Sequence, residues 1–346
     1  MKKTLQLIFC LFNVCFLNSQ EPNLLGSLPY CEVSADVETA PVFAGDDAAD
    51  DICILENKSI PDQSLIISSD KKYGIIVYNL KGKQIYDYEL GRINNVDIIP
   101  SKNNKKLFLV CGTNRTYNTL DLYLFDIQGN LKQQLLRKPM NSLKDVYGIT
   151  FYNGPVNTYL FISDKKGRVE QWIYNNNESS PKIKKIRAIK FSSIVEGIVA
   201  DELKEKVYIA QERQGIWEVN ANPSVTLDRK LIYKKNKYLN PDFEGLTLRE
   251  EPNGKGQLIA SIQGSNGYLI LDRQTLEPTQ FFRIIAGKSI DGTTETDGID
   301  VSTISTSMFP KGFFIAQDDD NDGLNQNFKI VDWQKIMKWL RMFYFL

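Results

Sequence analysis

Three short signals recur six times between about residue 50 and the end of this chain, and that recurrence constrains its fold more than any other feature. The spacing, roughly 45 to 60 residues, lies in the range of propeller blades. One signal is an apolar strand ending in a polar turn. It runs from Val77 to Gly82, Leu124 to Gly129, Trp172 to Asn175, Ile216 to Asn220, Leu269 to Asp272 and, most weakly, Phe328 to Asp332. A second is an apolar strand breaking into a charged or amide residue: Leu65 to Lys71, Leu109 to Arg115, Leu160 to Lys165, Val207 to Glu212, Leu258 to Gln263 and Phe313 to Asp318. The third precedes each of these, a polar residue beside an apolar strand. Its copies are Asp51-Ile52, Val96-Asp97-Ile98, Tyr147-Gly148-Ile149, Glu196-Gly197-Ile198, Glu244-Gly245-Leu246 and Asp297-Gly298-Ile299. Gly, Asn and Asp turns separate the signals, and no long helical period interrupts them.

Six copies of three strand signals fit six blades of mostly four strands, an all-β, six-bladed β-propeller. One blade alone cannot cover its apolar faces, whereas neighbours stacked around an axis do. A β-sandwich with accidental spacing is the competing architecture. No linker of disordered composition splits the chain. The expected organisation is a signal peptide over 1–20, an extension over 21–39, the propeller over 40–333 and a short tail over 334–346.

Lys2 and Lys3 precede an apolar run from Leu5 to Leu17, and Asn18, Ser19 and Gln20 follow it. This is the pattern of a cleaved signal peptide and implies a secreted or periplasmic protein. The run is too short for a good membrane span. Cleavage near residue 20 leaves Cys31, Cys53 and Cys111, which do not make a disulfide framework. Cys53 and Cys111 sit in apolar runs and read as buried thiols. The segment from Trp333 to Leu346 is rich in apolar residues and reads as a short packed helix of unassigned role.

Lysine and arginine together number 42, as do aspartate and glutamate. No global field therefore favours nucleic acid or a membrane surface. Histidine is absent, which excludes every mechanism built on an imidazole base, acid, nucleophile or zinc ligand. Chemistry must come from carboxylates, cations, hydroxyls or a hard metal.

Equivalent positions in propeller blades share a ring. The second signal puts Lys71, Arg115, Lys165, Glu212, Gln263 and Asp318 on one rim. The third adds Asp51, Tyr147, Glu196, Glu244 and Asp297 nearer the channel. One arc is then cationic and the other anionic. Carboxylate and amide oxygens suit calcium, lysine and arginine suit phosphate, and together they suit metal-assisted phosphoryl chemistry. The plain alternative for any one of these charges is a solvated loop end.

Local clusters weigh differently. Asp46, Asp47, Asp50 and Asp51 read as a solvated acidic turn before they read as a metal site. Asp318 to Gly323 imitates the start of an EF-hand loop, but its twelfth position is Lys329 instead of glutamate and no helix precedes it, so only a strand-loop calcium site remains open. The stretch from Asp291 to Asp300 reads as a turn before a strand or, by its density of carboxylates, as a calcium loop. Cys111 and Arg115 are too close in sequence for a cysteine-phosphatase loop.

Asp47-Ala48-Ala49-Asp50-Asp51, Asn94-Asn95-Val96-Asp97-Ile98, Val146-Tyr147-Gly148, Glu196-Gly197, Asp242-Phe243-Glu244-Gly245-Leu246, Thr296 to Asp300 and Asn325-Gln326-Asn327-Phe328-Lys329 agree in order and spacing with one family. Through residues 40 to 333 the chain resembles the β-propeller phytases, the alkaline, calcium-dependent family. The resemblance implies a phosphoric monoester hydrolase of the 3-phytase type. It implies structural calcium ions, a calcium cluster at the channel mouth, and water on that cluster attacking phosphate with no covalent intermediate. Glu212, Glu196 and Lys71 would carry catalysis. Lys71, Arg115, Tyr147 and Lys165 would bind phosphate, with Lys72 serving a neighbouring one. Asp50, Glu196, Glu212, Asp242, Glu244, Gln263 and Asp297 would hold the active-site calcium ions. Asp51, Asp291 and the Val96 carbonyl would hold structural calcium, and Asp318 and Asn321 lie in a loop the family also uses. Expected partners are phytate or calcium-phytate, with no nucleic acid, no membrane span and a monomeric state.

The chain departs from the family at Gln211, where a second acid often stands beside Glu212, at Ile52-Cys53 in place of Pro-Ala, and at Glu295 in place of Asp. Two other classes fit a six-bladed propeller: a calcium-dependent lactonase-like enzyme and a calcium-stabilised ligand-binding module. The cluster Lys71, Arg115 and Lys165 argues against lactones, which do not require it.

Overall fold

The computed structural model describes residues 28–175 and 181–343. The segment expected as a signal peptide, residues 1–20, lies outside them. Six sheets form blades in chain order. Blade one runs from the inner strand Ala49–Leu55 to the outer strand Gln84–Glu89, blade two from Ile93–Pro100 to Leu131–Pro139, and blade three from Val146–Asn153 to Ile183–Lys190. Blade four runs from Val195–Asp201 to Arg229–Lys234, and blade five from Phe243–Glu250 to Pro278–Ile284. Blade six has the strands Ile299–Ser302, Phe313–Asp318 and Asn327–Asp332. Each inner strand touches the next, and the sixth touches the first, so the ring closes.

The described part of the segment expected as an extension, residues 28–39, contributes strands to the propeller. Tyr30–Val33 adds a fifth, parallel strand to blade five. Val37–Glu38 pairs antiparallel with Asn327–Asp332 and supplies the missing outer strand of blade six. The amide side chains of the Asn-Gln-Asn run complete this closure. Asn325 Nδ2 donates to the Val42 and Phe43 carbonyls at 3.1 Å. Gln326 Oε1 accepts from both Ala48 N and Ala49 N at 2.7 Å, which ties the acidic turn at 46–51 to blade six.

The core lies between blades. Cys53, Ile67 and Val77 of blade one meet Val96, Val110 and Tyr123 of blade two. Ile52, Ile66 and Ile76, on the opposite face of blade one, meet Ile315, Phe328 and Ile330 of blade six. Each fully buried side chain of this kind contributes about 1.5–3 kcal/mol. The second strand of a blade is covered on both faces, as in Thr158–Asp164, where every residue is buried. That is why these strands read as unbroken apolar runs. Outer strands such as Gln84–Glu89 alternate half-buried and exposed.

Cys31, Cys53 and Cys111 are buried free thiols. The tail forms the helix Trp333–Phe343, with Trp333 and Ile336 in the core shared by blades five and six. Among the described residues, no helix is long and apolar enough to cross a membrane.

Candidate active site

The first five inner strands each carry a β-bulge at the same height, between Ala49 and Ile52, Ile93 and Val96, Val146 and Ile149, Val195 and Ile198, and Phe243 and Leu246. A bulge inserts one residue and re-aims its side chain. Asp297 and Gly298 hold the same place before the sixth inner strand. The first bulge residues are therefore Asp50, Asn94, Tyr147, Glu196, Glu244 and Asp297. In four blades the second is glycine, because the next blade's backbone leaves no room. A Cβ on Gly148 would lie 1.8 Å from the Glu196 carbonyl oxygen, and one on Gly197 would lie 2.0 Å from that of Glu244. Gly298 N in turn donates to the Asp50 carbonyl at 2.9 Å.

This register corrects two expectations, Asp51 on the ring and Asp318 on the rim, and gives blade two a ring residue. In blade one the ring residue is Asp50, and Asp51 stands one place behind it. In blade two the ring residue is Asn94, three places before Asp97. On the outer rim Asp318 is fully buried and bonded to Thr294 N, while Asp319 lines the cavity. In blade one the extra bulge residue shifts the frame by one, whereas in blade six Asp318 is still the last residue of its strand and the rim residue is the next one.

Lys71, Arg115, Lys165, Glu212, Gln263 and Asp319 each directly follow the second strand of their blade. With Asn94, Tyr147, Glu244, Asp297 and Asp242 they line a cavity of about 610 Å³ over the channel mouth. Lys71, Arg115 and Lys165 form one arc. Glu212, Asp242 and Glu244 form the opposite one, with one carboxylate oxygen from each lying within 4.8 Å of the others. Asp50 and Glu196 are buried behind the lining, both bonded to Asn94, and Asp50 also to Lys71. Gln263 Nε2 donates to Asp297 Oδ1 at 2.8 Å.

Lys71 Nζ lies 2.5 Å from Asp47, 2.8 Å from Asp50 and 3.1 Å from Asp297. Burial alone would lower its pKa, but Asp50 and Asp297 hold it above the usual lysine range. The Lys165 ammonium sits 4.4 Å from the centre of the Tyr147 ring, a cation–π contact. Burial, then Glu196, raises the Tyr147 hydroxyl so that it stays protonated. Burial followed by Asp242 pushes Glu212 up to about 7. Glu244 is raised by burial and by Glu196. Glu196 is raised by burial and by Asp50. Glu244 Oε2 is buried without a hydrogen-bond partner.

That set fits a hard cation. Several carboxylates are held off ionisation by burial and by one another, an orphaned oxygen points among them, and a divalent ion relieves both costs.

Other predicted positions lie elsewhere. Asp51 Oδ2 accepts from Val96 N at 3.0 Å and Asn95 Nδ2 at 3.1 Å, so Asp51 and Val96 do meet, behind the ring. Asp291 pairs with the buried Lys329, which also holds Glu38 and Asp318. The Lys72 ammonium turns to the Gly45 carbonyl at 2.6 Å and does not line the cavity. Gln211 faces away from Glu212. It donates to Ser192 and Ser193 and accepts from Trp217 Nε1.

A protein-family model described as phytase matches residues 13–342. The chain belongs to the phytase family. A 3-phytase of Bacillus subtilis (strain 168) is 38% identical over 329 residues, covering 89% of this chain and 85% of the relative. Among solved structures, a structural genomics protein of unknown function from Bacteroides thetaiotaomicron aligns with a TM-score of 0.58 at 10% identity. The alignment covers 86% of this chain and 73% of that one. At that identity the likeness is one of fold alone.

Sequence reasoning about this phytase-family chain missed Asn94 as a ring member, Asp145 as a partner of Arg115 and Asp319 as a rim residue. Aligning Asn94-Asn95 with Asp50-Asp51 and with the Xaa-Gly pairs gives the first of these. Asp145 carries no repeat signal.

Proposed function

We propose that this phytase-family protein hydrolyses phosphomonoesters of phytate with calcium, releasing inorganic phosphate. The observation that carries the reading is the opposition of Lys71, Arg115 and Lys165 to Glu212, Asp242 and Glu244 around one cavity. The three cations bind phosphoryl oxygens, and Tyr147 fixes the Lys165 ammonium from beneath. Glu196, Glu212, Asp242, Glu244, Asp297, Asp50 and the Gln263 amide oxygen would hold the active-site calcium ions. When bound, calcium neutralises phosphoryl oxygens and makes water more acidic. Glu212, which lines the cavity across from the cations, would take the proton of an attacking water. Asp51 and the Val96 carbonyl, and separately Asp291, would contribute to structural ions. The basic start and apolar run at Lys2 to Leu17 support export.

The test is phosphate release from phytate in calcium and in excess chelator. Activity is expected to vanish in chelator and return when calcium is restored. Full turnover without calcium would sink the reading.

A further inference from the structure

We propose that Asp145 is a positioning residue that aims Arg115 at a substrate phosphate. The inference rests on the reading of the cavity as a phosphate site. Asp145 lies on the loop just before the inner strand of blade three. Its Oδ1 accepts from Arg115 Nε at 2.9 Å and its Oδ2 from Arg115 Nη2 at 3.3 Å. Arg115 Nη1 donates to Asn94 Oδ1 at 3.2 Å. A guanidinium has five N–H groups in a rigid plane. Three are engaged here, which leaves one on each terminal nitrogen. Arg115 lines the cavity, so those remaining N–H groups are what a phosphate can meet, as charge-assisted hydrogen bonds.

The same residue bears on the neighbouring cation. The Asp145 carbonyl accepts from Lys165 N at 3.1 Å, so one residue registers the rim position of Lys165 and the plane of Arg115. Asp145 does this with φ at 64°, in the left-handed region, a conformation that aspartate and asparagine adopt more readily than other side chains. The loop is held in turn by Lys144 N, which donates to Asp164 Oδ2 at 3.0 Å.

Two effects of Asp145 oppose each other. Its charge weakens the attraction of Arg115 for phosphate, whereas its fork orients Arg115. The sign of a neutral substitution decides between them. D145N keeps the backbone conformation and one acceptor but loses the paired carboxylate. Steady-state phosphate release from phytate, at saturating calcium, is measured for wild type, D145N, R115A and the double variant. If Asp145 positions Arg115, D145N raises KM about five- to tenfold with kcat little changed. Adding D145N to R115A then has no further effect, because the residue acts through Arg115. An unchanged or lower KM in D145N, with R115A raising KM, would overturn the positioning role while leaving the phosphate site standing. An unchanged KM in R115A overturns the phosphate reading and the positioning role with it.

Discussion

Asn94 of blade two reaches Glu196 of blade four, its side-chain amide donating to Glu196 Oε1 at 3.1 Å. The same nitrogen donates to Asp50 Oδ2 at 2.5 Å. The channel mouth is thus narrow enough for blades that are not neighbours to bond, and Asn94 is the neutral donor that lets two buried acids approach.

Asn94→Asp turns that donor into an acceptor facing two carboxylates. The cost of an unsatisfied buried charge is about 2 kcal/mol or more. Melting in chelator should show a lower Tm, and calcium should recover most of the loss, since a cation accepts the added oxygen. An unchanged Tm in chelator would show that the amide is not needed as a donor.

Glu212→Gln separates chemistry from stability. Burial and Asp242 raise Glu212 to about 7, so ionising it in the calcium-free protein costs stability. The isosteric amide removes that cost. At pH 8 in chelator its Tm should equal or exceed that of wild type, while kcat in calcium falls by about a hundredfold or more. A Tm loss that parallels the activity loss would assign Glu212 a structural role instead.

The fold was legible because three strands in every blade are buried runs with a polar stop. The fourth was not. Outer strands such as Ile183–Lys190 are mostly charged and exposed, and Val37–Glu38 pairs with residues nearly three hundred positions away. The composition of the rim was legible from the second strand's stop, where Lys71, Arg115, Lys165, Glu212 and Gln263 stand one residue past the strand end. The channel ring was legible only in blades three to six, where the bulge shows as a residue followed by glycine. In blades one and two Asp51 and Asn95 take the glycine place, and the pair Asn95 Nδ2 to Asp51 Oδ2 fills the space. With no glycine to mark the bulge, the frame slipped to Asp51 in blade one, and blade two showed no ring residue.

Below the ring, Asp97 and Asp300 line the channel. Asp97 accepts from Thr150 Oγ1, Phe151 N and Ile98 N. Asp300 accepts from Thr247 Oγ1, Val301 N and Ile54 N. Among the described residues neither is paired with a cation. Burial pushes Asp97 up to about 6, with Glu202 adding to it, and Asp300 up to about 7, with Asp97 adding to it. An acid raised on folding binds its proton more tightly folded than unfolded, so stability falls as pH rises from the unfolded value near 4 to the folded values, and levels off above about 7. The ring acids Glu196, Glu244 and Asp297 and the rim acid Glu212 are shifted in the same direction. Denaturant melts in chelator should therefore show greater stability at pH 5 than at pH 8. Calcium, which binds the ionised carboxylates, should reduce or reverse that order. Stability that rises from pH 5 to pH 8 without calcium would contradict these environments.

In blades three to six the glycine behind the ring residue sets how close neighbouring blades come. Gly197→Ala would place a Cβ 2.0 Å from the Glu244 carbonyl oxygen and 2.9 Å from Leu246 N, both backbone atoms. Neither can swing aside as a side chain would, so blades four and five must separate. The cost is about 1–3 kcal/mol or more, and Glu196 and Glu244 move apart with it, so kcat falls as well as Tm. Gly323→Ala is the control. Gly323 has φ at 79° but nothing within 4 Å of the added carbon, so only the conformational cost of about 1–2 kcal/mol applies. The expected order is a larger Tm loss for Gly197→Ala, accompanied by lower kcat. Gly197 is not in the left-handed region, so an unchanged Tm and kcat in Gly197→Ala would show that the approach of one blade to the next does not require glycine beside the ring.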